Sequence, residues 1–424
     1  VGALVVEALL FTYSRNQLGD YVSPVVLLLS AVLACVATYF YTRHATWQSV
    51  FNEPLITSRL GAKIAVGLAC VVGVTWCAVK WHAVLRGADI KISSSDIIPS
   101  LSIYTKRFLA GEIVYTPFTE ELGYQLYPTY LPAMWGPFLL PEWLRIDYRW
   151  ISGLLMLVGI GAYQAVVLHI RRGAALTFLL ALLPFGLTRA VLHSDESIGT
   201  QTVEFMIVGY YMLLVAGILL PSWWAQTLGL LLCLLSRYSL VFWVPLYIGL
   251  VFFQKSKREA VLTVAALALG AGVLFVLPFL SHDWELLSRA QETYTGAALG
   301  EWQHLNDQGL PYHLYNGIGV GNLFYRYGSD DLMARITLLK HTHLLLLVSV
   351  VSGATLLYWR QPRPRTDYRI FAVLVLKVYL AVFYAFIQVP YFYLAIVSLF
   401  SSLFLLLLLL GTQHNTINAP VEAA

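Results

Sequence analysis

Residues 174–220 read AALTFLLALLPFGLTRAVLHSDESIGTQTVEFMIVGYYMLLVAGILL, two apolar runs joined by the polar turn His193 to Gln201. An α-helix rises 1.5 Å per residue, so roughly 20 apolar residues cover a hydrocarbon layer about 30 Å thick. The runs Ala174 to Leu192 and Thr202 to Leu220 meet that length closely. They are continuously apolar and do not alternate every second residue, which excludes membrane barrel strands and leaves helices.

The same pattern extends in both directions. Upstream, spans are predicted at Val22 to Tyr41, Gly61 to Leu85 and Trp150 to Ile170. Downstream come a short pair across Trp223 to Phe253, then Ala260 to Leu280, Ile336 to Trp359, Ile370 to Ile387 and Tyr391 to Leu410. With the apolar start, Val1 to Tyr13, the expectation is about twelve crossings, or eleven if that start lies at the interface. Composition agrees: hydrophobic residues make up 58% of the 424 and charged residues 12%, with a mean hydropathy of +0.70. The fold class is therefore all-α, a polytopic transmembrane bundle whose main solvent is lipid.

A net charge of +4 without a basic stripe and interleaved aromatics excludes nucleic acid as a partner. Cys35, Cys70, Cys77 and Cys233 lie inside apolar runs without ligand spacing and read as small buried hydrophobes. No cleavable signal peptide is visible and the chain begins at Val1, so the expectation is a start partway into a longer native protein.

Cations concentrate in three joints: Arg171 with Arg172, Lys255 with Lys257 and Arg258, and Arg360 with Arg363 and Arg365. The positive-inside rule assigns these to the cytoplasm, and the span count between them keeps that parity. The opposite, non-cytoplasmic side then receives the long loop 86–149, the turn His193 to Gln201, the neighbourhood of Arg237, the second long loop 281–335 and the turn Gln388-Val389-Pro390. The chain divides accordingly into N-terminal spans and a joint (1–60), a transmembrane core (61–280), the second outer loop (281–335), C-terminal spans (336–411) and a cytoplasmic tail (412–424).

The unusual chemistry lies on the outer side. Ser95 is placed to cap a helix opened by Asp96, with Ile97, Leu101, Tyr104, Phe108 and Leu109 at near-helical spacing along a surface-lying amphipathic element. Asp96 is either a general base toward an acceptor hydroxyl or a carboxylate favoured by the helix dipole. Arg237 lies between apolar runs, where a charge costs about 2.5 to 3.5 kcal/mol, so it needs an anion. A lipid phosphate, an ion pair with Asp195 or Glu204, and an exposed turn all remain open. The turn His193, Ser194, Asp195, Glu196 suits a divalent cation, sugar hydroxyls or plain solvation. In the second loop, His282, Asp283, Trp284, Glu285, Trp302, His304, Asp307, His313 and Tyr315 suit sugar recognition and also a membrane interface. The glycine-rich YNGIGVGNLFY there lacks a preceding strand, so it reads as a mobile loop over a site and not as a dinucleotide loop. Gln388, Pro390, Tyr391 and Tyr393 form either a pocket wall or a tight interhelical turn. His341, His343 and Lys377 read as snorkelling or interhelical hydrogen-bonding groups.

The order Asp96, Tyr104, Gly111, Tyr115, Tyr127, Pro128, Pro132 in the first outer loop resembles that of GT-C membrane glycosyltransferases, nearest to the bacterial branch that uses polyprenyl-phosphate mannose. Thr200-Gln201, Arg237 and Pro245 resemble that branch's polar turn and the basic residue ahead of a membrane proline. The chain departs at Thr200, where the family often has Gly, at Arg237, where it often has Lys, and at Ser95 and Ile97, where many relatives carry a second acid. A metal requirement therefore stays open. The resemblance implies an inverting transfer of a sugar, mannose by likeness, from a polyprenyl-phosphate donor to a lipid-linked or protein acceptor. It places the chain in a bacterial inner membrane with its active face extracytoplasmic. Asp96 would be the catalytic base and Arg237 the donor-phosphate ligand, with Tyr104, Tyr115, Tyr127, His193, Asp195, Gln201, Gln388 and Tyr391 around sugar and acceptor. No metal ligand is assigned, and a divalent cation is compatible with the site. The rival expectations are a transporter or flippase of a lipid-linked solute and a non-catalytic subunit bound to partners in a membrane complex.

Overall fold

The computed structural model of the chain describes residues 2–14, 18–19, 21–43, 60–92, 94–117, 128–170, 172–220, 222–329, 331–361 and 366–411. Among them the regular elements are helical, and an isolated bridge pairs Leu305 with Pro311. The principal helices are α1 (Gly2–Leu9), α2 (Val22–Thr42), α3 (Leu60–Arg86), α4 (Ile97–Ala110), α5 (Arg149–Leu168), α6 (Ala174–Ser194), α7 (Glu204–Leu219), α8 (Trp223–Leu234), α9 (Trp243–Gln254), α10 (Lys257–Ala271), α11 (Leu286–Gln303), α12 (Leu332–Arg360), α13 (Tyr368–Ala385) and α14 (Ile396–Gly411). Residues 412–424, Tyr127, Arg171, Arg363 and Arg365 lie outside the described residues.

Eight helical segments among the described residues are long and apolar enough to cross a membrane, and the chain is an integral membrane protein. Four further apolar helices, Gly2–Tyr13, Glu204–Leu219, Trp223–Leu234 and Trp243–Gln254, fall short of that length. Among the described residues these twelve apolar helical segments coincide with the twelve read from the sequence, four of them as short helices, and α7 shows a physical reason for the shortness. All of its residues except Leu213 are buried, so protein surrounds it and it has little lipid to match. Its 16 residues reach only about 24 Å. Close packing against α5 depends on Gly209, where an added Cβ would lie 2.2 Å from the Leu155 carbonyl oxygen. The periphery is the reverse: only 11% of the apolar window in α12 is buried, against 78% in α13. The large apolar side chains on α12 therefore face lipid.

Two charges are driven into this interior. Glu7 of α1 and Lys377 of α13 are fully buried and form an ion pair. Lys377 Nζ also donates to the Ser398 carbonyl at 2.7 Å and the Ser398 Oγ at 2.8 Å, while Ser402 Oγ donates to Glu7 at 2.6 Å. The interhelical reading of Lys377 thus holds with a stronger partner than expected, and three helices are tied by one saturated cluster. Cys35, Cys77 and Cys233 are buried and Cys70 is partly so; all four are free thiols.

The segment 281–335 is not a long irregular loop. Its backbone satisfies itself through α11 and the short helices Tyr312–Tyr315 and Gly321–Tyr327. Nor is the glycine-rich stretch a loose lid. Ile318 N donates to Pro390 O at 3.2 Å and Val320 N to Ala385 O at 2.8 Å, and a Cβ on Gly319 would sit 2.2 Å from Pro390 Cβ. Absence of a side chain here serves close backbone packing against the turn that follows α13.

Candidate functional site

The first outer segment carries α4, with Ile98, Leu101 and Tyr104 buried and Phe108 and Leu109 exposed. The helix starts at Ile97, one residue later than the sequence pattern places it. Asp96 occupies the position before the first turn without a side-chain cap, and Ser95 Oγ accepts from Ile97 N at 3.3 Å. Ser95 Oγ also donates to the Gln201 carbonyl at 3.0 Å, which joins this segment to the turn after α6. Gly111, at φ 72°, ends α4, and Arg107 gathers the next residues through Thr116 O and Oγ1, both at 2.7 Å.

Tyr104 and Tyr115, expected to touch sugar or acceptor, spend their hydroxyls on Tyr130. Tyr130 N donates to Tyr104 Oη at 3.1 Å, and Tyr115 Oη donates to Tyr130 O at 2.9 Å. Trp135 Nε1 donates in turn to Tyr115 Oη at 3.1 Å. Both rings are buried, and their hydroxyls fix the Tyr130 backbone.

Tyr130 is the point on which the site converges. Burial pushes its phenol above the ordinary range; the negative charges of Asp96 and Glu204 add to that, and the positive charge of Arg237 opposes it. Ser95 donates to the Gln201 carbonyl and Glu204 pairs with Arg237, so Asp96 and Arg237, 141 positions apart, belong to adjoining elements.

Arg237 has extended backbone between α8 and the turn Tyr238–Leu240. Its guanidinium grips Glu204 with both terminal nitrogens, Nη1 donating to Oε2 at 2.9 Å and Nη2 to Oε1. Of the three partners the sequence leaves open, Glu204 is the one joined to it. Glu204 is only 1% exposed, whereas the Arg237 side chain keeps 17%, so the carboxylate backs the guanidinium. The fork uses two of five N–H groups. Burial raises the Tyr294 phenol above its ordinary value, and the Arg237 charge opposes that only in part.

The turn after α6 does not assemble as a cation site. Glu196 pairs with Lys80 of α3, Asp195 Oδ1 accepts from Ser197 N at 2.9 Å to open the short helix Ser197–Thr200, and His193 is exposed at the end of α6. Among the described residues no group of three His, Cys, Asp or Glu is placed to hold a metal ion. Of this turn, Gln201 is joined through Ser95 to the segment that carries Asp96.

The second outer segment closes the far wall. Trp302 Nε1 donates to Gln388 O at 2.9 Å, and the Gln388 side-chain oxygen is buried without a hydrogen-bond partner. Tyr391 stacks on Tyr393, centroids 5.3 Å apart at 12°. Tyr391 lies within reach of Glu301, Tyr294, Asp96 and Tyr130, and Tyr393 within reach of Glu204, Tyr130 and Arg237. Sequence reasoning placed Gln388 and Tyr391 here but missed Tyr130, Tyr294 and Glu301, which carry no pattern of their own. Glu204 had a usable signal, since a carboxylate opening an apolar run needs a partner.

Comparison with protein-family models, with curated proteins and with solved structures found no match.

Proposed function

We propose that the chain is a GT-C-like inverting glycosyltransferase that moves a sugar, mannose by sequence likeness, from a polyprenyl-phosphate donor to an acceptor hydroxyl. What supports this reading is that Ser95, next to Asp96, donates to the Gln201 carbonyl, three residues before the Glu204 that grips Arg237, so that a candidate base and a candidate anion ligand lie on adjoining elements. A lone carboxylate or a lone guanidinium would not support transfer; the two together match what the reaction demands.

Asp96 takes the acceptor hydroxyl proton as that oxygen attacks the sugar C1. The bond from C1 to the phosphate oxygen breaks, and its electron pair leaves on the polyprenyl phosphate. Arg237 meets the charge growing there, and Glu204 fixes the guanidinium plane in advance, so that little reorganisation accompanies the step. Tyr104 and Tyr115 act as positioning residues through Tyr130. The active face is extracytoplasmic, in a bacterial inner membrane, following the cation-rich joints.

Transfer of radiolabelled mannose from polyprenyl-phosphate mannose is measured in vesicles containing the purified chain. Asp96→Asn is expected to abolish transfer while donor still binds, and Arg237→Ala to weaken donor binding. Full activity in a folded Asp96→Asn variant removes the catalytic assignment. Uptake of the lipid-linked sugar without transfer favours a flippase, and stoichiometric co-purifying partners with neither activity favour a non-catalytic subunit.

A further inference from the structure

At the far end of α9 from Arg237, charge gathers that the transfer site does not use. There α9 gives way to α10 in a tight reversal. The Val251 carbonyl accepts from Lys255 N at 3.0 Å and from Ser256 N at 2.9 Å, and Ser256 Oγ accepts from Glu259 N at 3.3 Å to cap α10. The reversal fixes Lys255, Lys257 and Arg258, all exposed, at the adjoining ends of two helices.

A third helix ends beside them. Phe253 of α9 meets Trp359 of α12 edge to face, with ring centroids 5.2 Å apart at 89°, which brings the exposed Arg360, next in the chain, to the same place. The end of α12 is itself held: Tyr358 Oη donates to the Thr366 carbonyl at 3.3 Å, and Thr366 N donates to Gln361 Oε1 at 3.1 Å. Phe253 is 63% exposed and Trp359 37%, and Lys257 Nζ lies 5.6 Å from the centre of the Phe252 ring. Bare aromatic rings at the ends of membrane helices, beside cations, sit at the level of lipid headgroups.

The charge here does not cancel. Among the described residues the ion pairs at this end are Lys255 with Glu259 and Arg369 with Asp367. Lys257, Arg258 and Arg360 stand outside both, which leaves an excess of positive charge. The dipole of α10 adds to it, because cations in a first turn face the positive end of their own helix. An anion relieves this, and the rings say which kind. A soluble anion would engage the cations alone. A glycerophospholipid with a net negative head engages both, its phosphate on the guanidinium and ammonium groups and its upper acyl chain along the exposed rings.

We propose that Lys257, Arg258 and Arg360, with Phe253 and Trp359, form a headgroup site for an anionic glycerophospholipid, in the leaflet that the positive-inside rule assigns to the cytoplasm. The site is independent of the glycosyltransferase reading. Its occupant ties α12, of whose apolar window only 11% is buried, to the reversal between α9 and α10, so a lipid supplies contact that protein packing gives sparingly there.

The test is native mass spectrometry of the full chain in detergent, titrated with phosphatidylglycerol and, separately, with phosphatidylcholine. Saturable binding is expected, tighter for phosphatidylglycerol. A basic residue facing an anionic head accounts for about fivefold in affinity, so Arg360→Gln should weaken phosphatidylglycerol about fivefold and the double variant Lys257→Gln with Arg258→Gln about 25-fold, with melting temperatures in lipid-free detergent held. Trp359→Leu keeps every cation and is expected to weaken it as well. Lys63→Gln removes an exposed cation at the start of α3, away from the ring pair, and should leave the affinity unchanged. Equal affinity for the two lipids, or losses in the patch variants no larger than in Lys63→Gln, overturns the site. In a parallel thermal unfolding series, phosphatidylglycerol is expected to raise the melting temperature and inorganic phosphate to leave it in place. A rise with inorganic phosphate as large as with the lipid, and lost in the same variants, assigns the patch to a soluble anion and overturns the lipid proposal.

Discussion

Replacing Glu7 by Gln keeps the size of the side chain and removes the charge that faces Lys377. The ammonium has its donors placed on Glu7, the Ser398 carbonyl and the Ser398 hydroxyl, and neither charged side chain is exposed. Breaking a buried pair from one side costs about 3 to 5 kcal/mol. Lys377→Met strands the Glu7 carboxylate in the same way. The double variant Glu7→Gln with Lys377→Met has no uncompensated charge, and Ser402 Oγ still lies 3.5 Å from Ser398 O. It is expected within about 1 to 2 kcal/mol of the parent. Each single variant should thus lose about 3 to 5 kcal/mol, and the pair together far less than their sum, giving a coupling of several kcal/mol. Reversible unfolding in detergent micelles, run as a double-mutant cycle, reads this directly. Additive losses would show that the two charges do not compensate one another and would refute the reasoning.

Further outcomes follow from the same geometry. Glu204→Gln leaves the Arg237 guanidinium without its counter-charge at 17% exposure; stability should fall by about 3 kcal/mol, the low end for a buried pair, and donor affinity should fall with it, read by thermal unfolding and a donor titration. Gly209→Ala forces a Cβ to 2.2 Å from the Leu155 oxygen, and because backbone cannot yield as a side chain can, a loss of about 3 kcal/mol is expected, checked by thermal unfolding against Gly296→Ala, where nothing lies within 4 Å. The hydrogen bond with His313 holds the Glu301 carboxyl below its reference value of 4.5, against a smaller opposing effect of burial. Its folded value is depressed, so its contribution is complete above about pH 4.5 and is lost as pH falls through the folded value. Glu301→Gln should accordingly flatten the acid limb of a stability–pH profile below that point and leave the neutral region unaltered in slope.

Much of the architecture was legible because a lipid solvent imposes one demand on every residue of a span. The predicted spans at Val22 to Tyr41 and Ala174 to Leu192 end within two residues of α2 and α6. The failures have a common cause as well. A run such as Thr202 to Leu220 states only that its environment is apolar, and the sequence cannot say whether that environment is lipid or protein. Only packing turned it into the short buried helix α7, and only packing made a saturated cluster from Glu7 and Lys377, 370 positions apart.

The site divides in the same way. Asp96 and Arg237 were visible one at a time, because a charge in or beside an apolar run is costly and needs a purpose. The choice of Glu204 as the partner of Arg237 was not visible, nor was the commitment of Tyr104 and Tyr115 to the Tyr130 backbone. Those depend on which hydroxyl, carboxylate or peptide group another helix brings to within hydrogen-bond distance. Hydropathy fixes the depth of a segment along the membrane normal, whereas neighbours within the membrane plane are chosen by side-chain shape and by the satisfaction of buried polar groups. From this sequence alone, then, came a helical membrane protein with its polar chemistry gathered on one side; the tertiary structure decided which of those groups meet.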